Sequence, residues 1–165
     1  MSLPDWARVT PERRAHIERV VTLLQAWADA MHVDAKERDR WLRAGWLHDA
    51  LRDAPFNDPR AHGPAAAERA AAAGESDHGV LDAVRHHTVG SADWDDVGRM
   101  LYLADFLEPG RDDDPERERL ARRVPTQRDA VLREVIRRRI DWVLRSGWPL
   151  PDATVAFWNQ LAGKS

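Results

Sequence analysis

The chain has 165 residues, a length that favours one domain with its own hydrophobic core. It has no cysteine, which excludes disulfides, iron–sulfur clusters, thiolate zinc sites and cysteine nucleophiles, so any metal would be held by nitrogen and oxygen atoms. The 25 basic and 28 acidic side chains leave a formal charge of −3, which gives no general reason to expect nucleic acid or an anionic membrane as a partner.

Apolar residues recur at helical spacing, and the alternation typical of strands is almost absent, so the sequence predicts an all-α fold. Thr10, followed by Pro11, predicts the start of the first helix. Asp34 predicts the start of the second helix, which we expect to stop near residues 53–59 because the prolines and Asn57 there favour turns.

Turn-forming residues divide the middle of the chain into shorter helices. Pro64 opens an alanine-rich helix that Gly74 closes. Ser76 and Ser91 are the expected caps of the two helices that follow, and residues 109–110 should end the second of these.

The last third of the chain is expected to hold two more helices. A polar stretch leads through Pro115 and Pro125 to Thr126, where a long helix should begin and run to Gly147. Asp152 is the expected cap of a short final helix.

The organisation of the chain indicates a single domain, because no repeat or low-complexity linker divides it. We expect that domain to cover residues 1–165, with a core at about 11–159, as a helical bundle of seven or eight helices. No run of about 18 apolar residues occurs and the N-terminal residues lack an apolar segment, so we expect no signal peptide, no membrane span and a cytoplasmic location.

Four polar residues share the apolar faces of four predicted helices; they are His16, His48, His87 and Asp105. Burying an unpaired imidazole costs free energy, and helical bundles commonly build metal sites from ligands on facing helices. A single inward histidine is more often a hydrogen-bonded core residue. The prediction of a metal site therefore rests on the occurrence of all four residues together, and Asp49 and His62 add two further candidate ligands. His32 and His78 are expected outside the site, and His86 stays ambiguous.

Four stretches of the sequence form recognisable motifs: LHDALR at 47–52, AHGPAA at 61–66, RHHTVG at 85–90 and LADFLEPGR at 103–111. They resemble the HD-domain metal-dependent phosphohydrolases, in particular the YqeK-type branch of bacterial symmetrical diadenosine tetraphosphate hydrolases. The resemblance runs from about Arg13 to Asn159 and includes the segment PLPDATVAFWN at 149–159. It implies an HD-domain helical bundle that holds two metal ions.

The ligand set that the resemblance implies has six members: His16, His48, Asp49, His62, His87 and Asp105. Mixed imidazole and carboxylate ligation suits iron, manganese, zinc or nickel better than calcium or magnesium, and iron is our first choice. Asp49 is suited to bridge two ions, which would lie ~3.5–4 Å apart, lower the pKa of a shared water and clamp a phosphoryl group for in-line attack.

Arg52 and Arg111 are the expected phosphate-binding residues, and with Asp49 they complete the expected catalytic set. A polyphosphate needs more positive charge than the metal ions supply, and guanidinium groups bind phosphate strongly. The branch normally has lysine at the position of Arg52, so the positive charge is retained. The compact ammonium group is replaced by a planar guanidinium group, which binds phosphate with a different geometry. For Arg111 the alternative is a surface salt bridge with Glu108 or Asp112.

These features predict an enzyme that hydrolyses diadenosine tetraphosphate to two ADP through attack by a metal-bound hydroxide. Asp49 and His62 are only 13 positions apart, whereas the branch usually has an additional helical segment there. A nucleotidase or phosphodiesterase acting on a smaller phosphoester therefore stays open. A nucleotide-binding HD module without turnover is the alternative from a different functional class.

Tryptophans and arginines in other positions carry weaker predictions. Trp27, Trp41 and Trp142 fit apolar stripes and are expected in the core. Trp6, Trp94 and Trp148 could reach a surface or a subunit interface, which leaves a homodimer open. The arginine-rich segment at 128–145 is expected to be a solvated helix face rather than a nucleic-acid site, because no aromatic residues interleave with it. The expected partner is a small-molecule nucleotide.

Overall fold

The computed structural model describes residues 1–163, and within this range the chain has seven α-helices, one 3₁₀ turn and no strand. The elements are α1 Pro11–Ala30, α2 Ala35–Leu47, the 3₁₀ turn Pro59–Ala61, α3 His62–Ala72, α4 His78–His86, α5 Asp96–Leu107, α6 Pro115–Arg145 and α7 Asp152–Ala162. The prediction of an all-α fold with seven or eight helices is confirmed. None of the described helices combines the length and apolar character needed to cross a bilayer.

The first two helices begin where the sequence predicts, but α2 ends earlier than expected. The side chain of Thr10 accepts a hydrogen bond from the backbone of Arg13, and Asp34 caps α2 in the same way. α2 stops at Leu47 rather than near residues 53–59, and a series of turns follows. The reason lies in the N-terminal segment, which takes backbone hydrogen bonds that a longer helix would use.

Two backbone hydrogen bonds join the N-terminal segment to these turns. The N–H of Arg8 donates to the carbonyl of Ala50 at 2.7 Å, and the N–H of Asp53 donates to the carbonyl of Arg8 at 3.2 Å. Because the carbonyl of Ala50 is engaged by Arg8, the turn at residues 48–53 is held against the start of α1. Asp49 therefore lies on a turn and not inside a helix.

The caps of α4 and α5 are aspartates, so the prediction of Ser76 and Ser91 as caps is wrong. Asp77 accepts from the N–H of Val80, and Asp95 accepts from the N–H of Val97. A carboxylate at this position also interacts favourably with the positive end of the helix dipole, which a serine hydroxyl does not match. Asp152 likewise is the first residue of α7 and not its cap, which is Pro151.

The start of α3 packs tightly against the end of α4. α3 begins at His62, two residues before the predicted Pro64. A Cβ atom on Gly63 would lie 3.0 Å from the carbonyl oxygens of both Val84 and Arg85, so only glycine permits this approach without a shift. The close contact places His62 beside the C-terminal end of α4.

The polar stretch before Thr126 is helical, which corrects the predicted start of the long helix. Asp114 caps α6, and the helix continues through Pro125 with a kink at Gln127, whose φ and ψ are −138° and 38°. A proline removes one helical hydrogen bond and bends the helix without ending it here. The buried side chains of Leu120 and Val124 show why the first part of α6 stays on the core.

α5 is the central helix of the bundle. Eight of its side chains are buried, and it packs against α1, α2, α4 and α6. Trp94, predicted to reach a surface, is buried against Tyr102 and Phe157. Trp142, predicted in the core, is 42% exposed, and its ring contacts that of the exposed Trp148. Trp142 lies near the end of α6, where the neighbouring Val143 is buried, and its ring packs against Trp148 and the guanidinium group of Arg139 rather than against the core.

Arg40 on α2 joins the caps of α4 and α5. Its guanidinium donates to Asp77 at 2.8 and 3.0 Å, to Asp95 at 2.7 Å and to Glu37 at 2.8 Å. The hydrogen bonds that Asp77 accepts from Arg40 lower the pKa of Asp77 from 3.8 to about 2, although burial acts in the opposite direction. A single side chain on α2 thus fixes where two other helices begin.

We expect Asp77→Asn to destabilise the protein by about 1–2 kcal/mol at neutral pH, since asparagine keeps the cap but loses the charge. The folded-state pKa of Asp77 lies below its ordinary value, so this stabilisation is present above about pH 4 and is lost as the pH falls through about 2. Urea unfolding of the wild type and of Asp77→Asn between pH 7 and pH 2 measures this difference in the free energy of unfolding. A stability difference that stays constant over this range would contradict the assignment.

Candidate metal centre

The structure brings the six predicted ligands to one point between five helices. His16 comes from α1, His48 from the C-cap of α2, Asp49 from the turn that follows, His62 from the start of α3, His87 from the C-cap of α4 and Asp105 from α5. The four histidines and Asp49 are each at most 6% exposed, and the side chain of Asp105 is 20% exposed. Such a concentration of buried polar side chains needs internal partners.

The six side chains form two groups. His16, His48 and Asp105 make one, and Asp49, His62 and His87 make the other; in each group the candidate ligand atoms lie within 4.8 Å of one another.

Asp49 lies between the two groups. Its Oδ1 lies 3.1 Å from His62 Nε2 and 3.2 Å from His87 Nε2. Its Oδ2 lies 3.6 Å from His16 Nε2 and 3.7 Å from His48 Nε2. Each oxygen of one carboxylate faces a different group, which is the arrangement that a bridging ligand requires.

All four imidazoles are oriented by an acceptor at Nδ1. In three of them that acceptor is the backbone carbonyl three residues earlier: Gly45 for His48 at 2.8 Å, Pro59 for His62 at 2.6 Å and Val84 for His87 at 2.7 Å. In His16 it is the carboxylate of Glu108, at 3.2 Å. A carbonyl can only accept, so in His48, His62 and His87 a proton lies on Nδ1; in all four rings Nε2 points into the cluster.

The donor set fits divalent metal ions. The Nε2 atoms of His16 and His48 are buried and have no well-aligned hydrogen bond within the described chain. The Nε2 atoms of His62 and His87 lie 3.0 Å apart, so their lone pairs face each other unless a cation lies near them. Unsatisfied buried nitrogen atoms are costly, and a metal ion would satisfy them. Imidazole and carboxylate together suit iron, manganese, zinc or nickel.

The protonation states of His48 and of the two carboxylates favour ligation at neutral pH. Against the opposing effect of burial, hydrogen bonds with Asp105 and Glu108 raise the pKa of His16 to about 9, and Asp49 raises that of His87, so a metal ion would displace protons from these two rings. Burial lowers the pKa of His48 to about 4, which leaves this imidazole neutral. Burial raises the pKa of Asp105, but the hydrogen bond from His16 and the charges nearby outweigh it, so the net shift is well downward. The pKa of Asp49 is lowered in the same way by the surrounding imidazoles. Both carboxylates are therefore ionised.

Of the two predicted arginines, only Arg111 contacts the cluster. Its Nη2 donates to Asp105 Oδ1 at 2.8 Å, its Nε donates to the Asp105 carbonyl at 3.0 Å, and its side chain is 41% exposed. Of the two alternative partners, Glu108 lies 3.9 Å from Arg111 Nε in a long ion pair, whereas Asp112 pairs with Arg117. Arg52 is half-buried on the turn beside Asp49, and within residues 1–163 its side chain makes no hydrogen bond or ion pair.

The sequence reasoning missed two residues that support the cluster. Glu108, only 1% exposed, binds His16 and also accepts from Arg19 at 2.5 Å. Burial opposes ionisation of Glu108, but these two bonds lower its pKa to about 2. The sequence feature that could have identified Glu108 is its position one helical turn after Asp105. Arg13, one turn before His16, donates to Asp49 at 2.7 Å.

The remaining histidines lie outside the two groups. His32 and His78 are exposed, in agreement with the sequence-based expectation, and His86 is half-buried at the end of α4.

The fold and the two groups of side chains define a helical domain built around a candidate metal centre. Comparisons with known proteins show the family to which this domain belongs. The HD domain family model matches residues 13–140, so the chain belongs to the HD domain family. A predicted HD superfamily hydrolase involved in NAD metabolism from Clostridium acetobutylicum, solved as a crystal structure, has the same fold, with a TM-score of 0.82 over 95% of this chain and 92% of that one at 22% identity.

A curated relative gives a more specific similarity. The symmetrical bis(5'-nucleosyl)-tetraphosphatase of Halalkalibacterium halodurans is 30% identical to this chain over 88 residues. The match covers 53% of this chain and 46% of the relative, so it spans about half the length of that protein.

We expect Glu108→Gln to weaken metal binding about 10- to 100-fold, because partners of a ligating histidine tune its orientation and basicity. Titration of chelator-treated protein with Mn²⁺ or Co²⁺ in a calorimeter measures the affinity. Glu118→Gln removes an equivalent charge from a 73% exposed side chain and should bind metal as the wild type does. Wild-type affinity in Glu108→Gln would show that the His16–Glu108 contact has no part in ligation.

Proposed function

We propose that this protein is a metal-dependent phosphohydrolase that acts on nucleotide polyphosphates and cuts diadenosine tetraphosphate symmetrically into two ADP. The observation that carries the proposal is the pair of three-residue groups with Asp49 between them. The similarity to a symmetrical tetraphosphatase supports the choice of substrate. The proposed cofactors are two divalent ions, with iron as the first choice and manganese, zinc or nickel as alternatives.

The residues of the centre have separate tasks in this proposal. When bound, divalent ions supply a Lewis acid at the phosphoryl group and a water of lowered pKa. His16, His48 and Asp105 would hold one ion and His62 with His87 the other.

Asp49, with one oxygen toward each group, would contribute a ligand atom to both metal sites. Glu108 keeps the lone pair of His16 directed at the centre.

Phosphate binding is assigned to the arginines at the rim. Arg111 is 41% exposed and uses Nε and Nη2 for Asp105, so N–H donors on Nη1 are available to phosphate oxygens. Arg52, on the turn that carries Asp49, is the second candidate. Charge-assisted hydrogen bonds from guanidinium groups would hold the phosphate chain in line for attack.

One observation favours a smaller phosphoester as the alternative substrate. The connection between Asp49 and His62 contains only turns and a three-residue 3₁₀ turn, and residues 55–60 are exposed. No helix of the described chain arises from this connection to cover the centre or to contact a nucleotide base. A nucleotidase or phosphodiesterase that recognises mainly the phosphate would need no such cover.

A substrate screen separates these activities. Protein supplied with iron, manganese or cobalt is incubated with dinucleoside polyphosphates, mononucleotides and cyclic dinucleotides, and the products are resolved by ion-exchange chromatography. We expect diadenosine tetraphosphate to give ADP alone, since AMP with ATP would mean asymmetric cleavage. Faster hydrolysis of mononucleotides would favour the smaller substrate, and metal-loaded protein without any turnover would indicate a binding module.

We expect Asp49→Ala to abolish turnover and to lower the bound metal content, because one carboxylate serves both groups. Plasma emission spectrometry gives the metal-to-protein ratio, and circular dichroism verifies the fold. Asp39→Ala, at an exposed position on α2 outside the cluster, tests the effect of a lost carboxylate elsewhere in the protein. An Asp49→Ala protein with full metal content and near-normal activity would reject the assignment of this residue.

A further inference from the structure

Arg13 has binding capacity that its contacts with the protein do not use. Its Nη1 donates to Asp49 Oδ2 at 2.7 Å, and its side chain is 27% exposed. A guanidinium group has five N–H donors, and within residues 1–163 the bond to Asp49 is the only hydrogen bond or ion pair of the Arg13 side chain. A partly exposed cation with free donors therefore lies directly at the carboxylate between the two groups.

The position of Arg13 is set by the backbone around it. Thr10 caps the turn of α1 that carries Arg13, and the N–H of Thr10 donates to the carboxylate of Asp53 at 2.8 Å. Asp53 belongs to the turn that carries Asp49, and Arg8 bonds to the same turn. Arg13 is thus held at a fixed place relative to Asp49 rather than on a mobile surface, which lowers the entropic cost of binding a ligand there.

The carboxylates of the centre are paired with arginines before any ion or substrate binds. Three carboxylates pair with three arginines: Arg13 with Asp49, Arg111 with Asp105 and Arg19 with Glu108. The first two carboxylates are also candidate metal ligands. A divalent ion on the same carboxylate would neutralise it and leave the arginine charge for an anion. Two such ions would bring four positive charges to the centre, which equals the charge of a tetraphosphate chain.

We propose that Arg13 is a second phosphate-binding residue and acts together with Arg111. The two guanidinium groups flank His16, whose Nε2 lies 3.6 Å from the Asp49 oxygen bound by Arg13 and 3.0 Å from the Asp105 oxygen bound by Arg111. They would bind neighbouring phosphates of one chain. This inference rests on the proposed function, because it names the part of the substrate that Arg13 recognises.

The test is direct binding of ADP to metal-loaded protein, followed by calorimetry, with bound metal measured in the same samples. Arg13→Gln should weaken ADP binding about 10- to 150-fold and leave the metal content unchanged. Arg13→Lys should recover part of the affinity, because lysine restores the charge but not the planar fork. Arg14→Gln is the matched control: Arg14 is adjacent in the sequence, 59% exposed and paired with Glu18.

Two results would overturn the proposal. Wild-type ADP affinity in Arg13→Gln would show that the side chain does not reach phosphate. Loss of metal from Arg13→Gln would show that Arg13 acts only by positioning Asp49. Failure of the proposed function is distinguishable, since a wild-type protein that binds ADP through Arg13 but cleaves no dinucleoside polyphosphate contradicts the activity and leaves this role of Arg13 intact.

Discussion

The burial of four imidazoles around one carboxylate is the constraint on which the rest of this structure depends. An imidazole has two nitrogen atoms, and both must be satisfied when the ring is buried. In His48, His62 and His87 the backbone carbonyl three residues earlier accepts from Nδ1, which is possible because each of these residues lies at the end of a helix or in a turn. The second nitrogen of every ring is thereby left for Asp49, for its neighbours and for a metal ion.

The helices are arranged so that their ends meet at this point. Gly63 lets the start of α3 approach the carbonyls at the end of α4, which brings His62 and His87 together. Arg40 holds the starts of α4 and α5 against α2. The positions at which these two helices reach the cluster depend on where they start. Hydrogen bonds by the N-terminal segment hold the turn of Asp49 in place. Stability and site geometry therefore depend on the same contacts.

The sequence predicts the helices and the six clustered side chains better than it predicts helix boundaries. Helical periodicity reports which residues face inward, and this is enough to bring His16 and Asp105 to the core. It does not report competition for a cap, which Asp77 won over Ser76 because its carboxylate also binds Arg40. Nor does it report that Pro125 bends α6 without ending it, that Trp94 is buried or that Trp142 is exposed. Glu108 was missed because its role depends on a residue 92 positions away in the sequence.

Under the proposed function, the charge of the centre would favour substrates with several phosphates. The paired arginines and carboxylates cancel, so the attraction for an anion comes from the bound ions and from arginines whose carboxylates those ions neutralise. Such attraction increases with the number of phosphate charges within reach and is almost independent of the base. A monophosphate could engage only one of the two guanidinium groups beside His16, whereas a polyphosphate chain could engage both. The short connection between Asp49 and His62 offers few contacts for a base and leaves the arginines in place, so under the proposed function the phosphate chain would be the part of the substrate that the centre recognises.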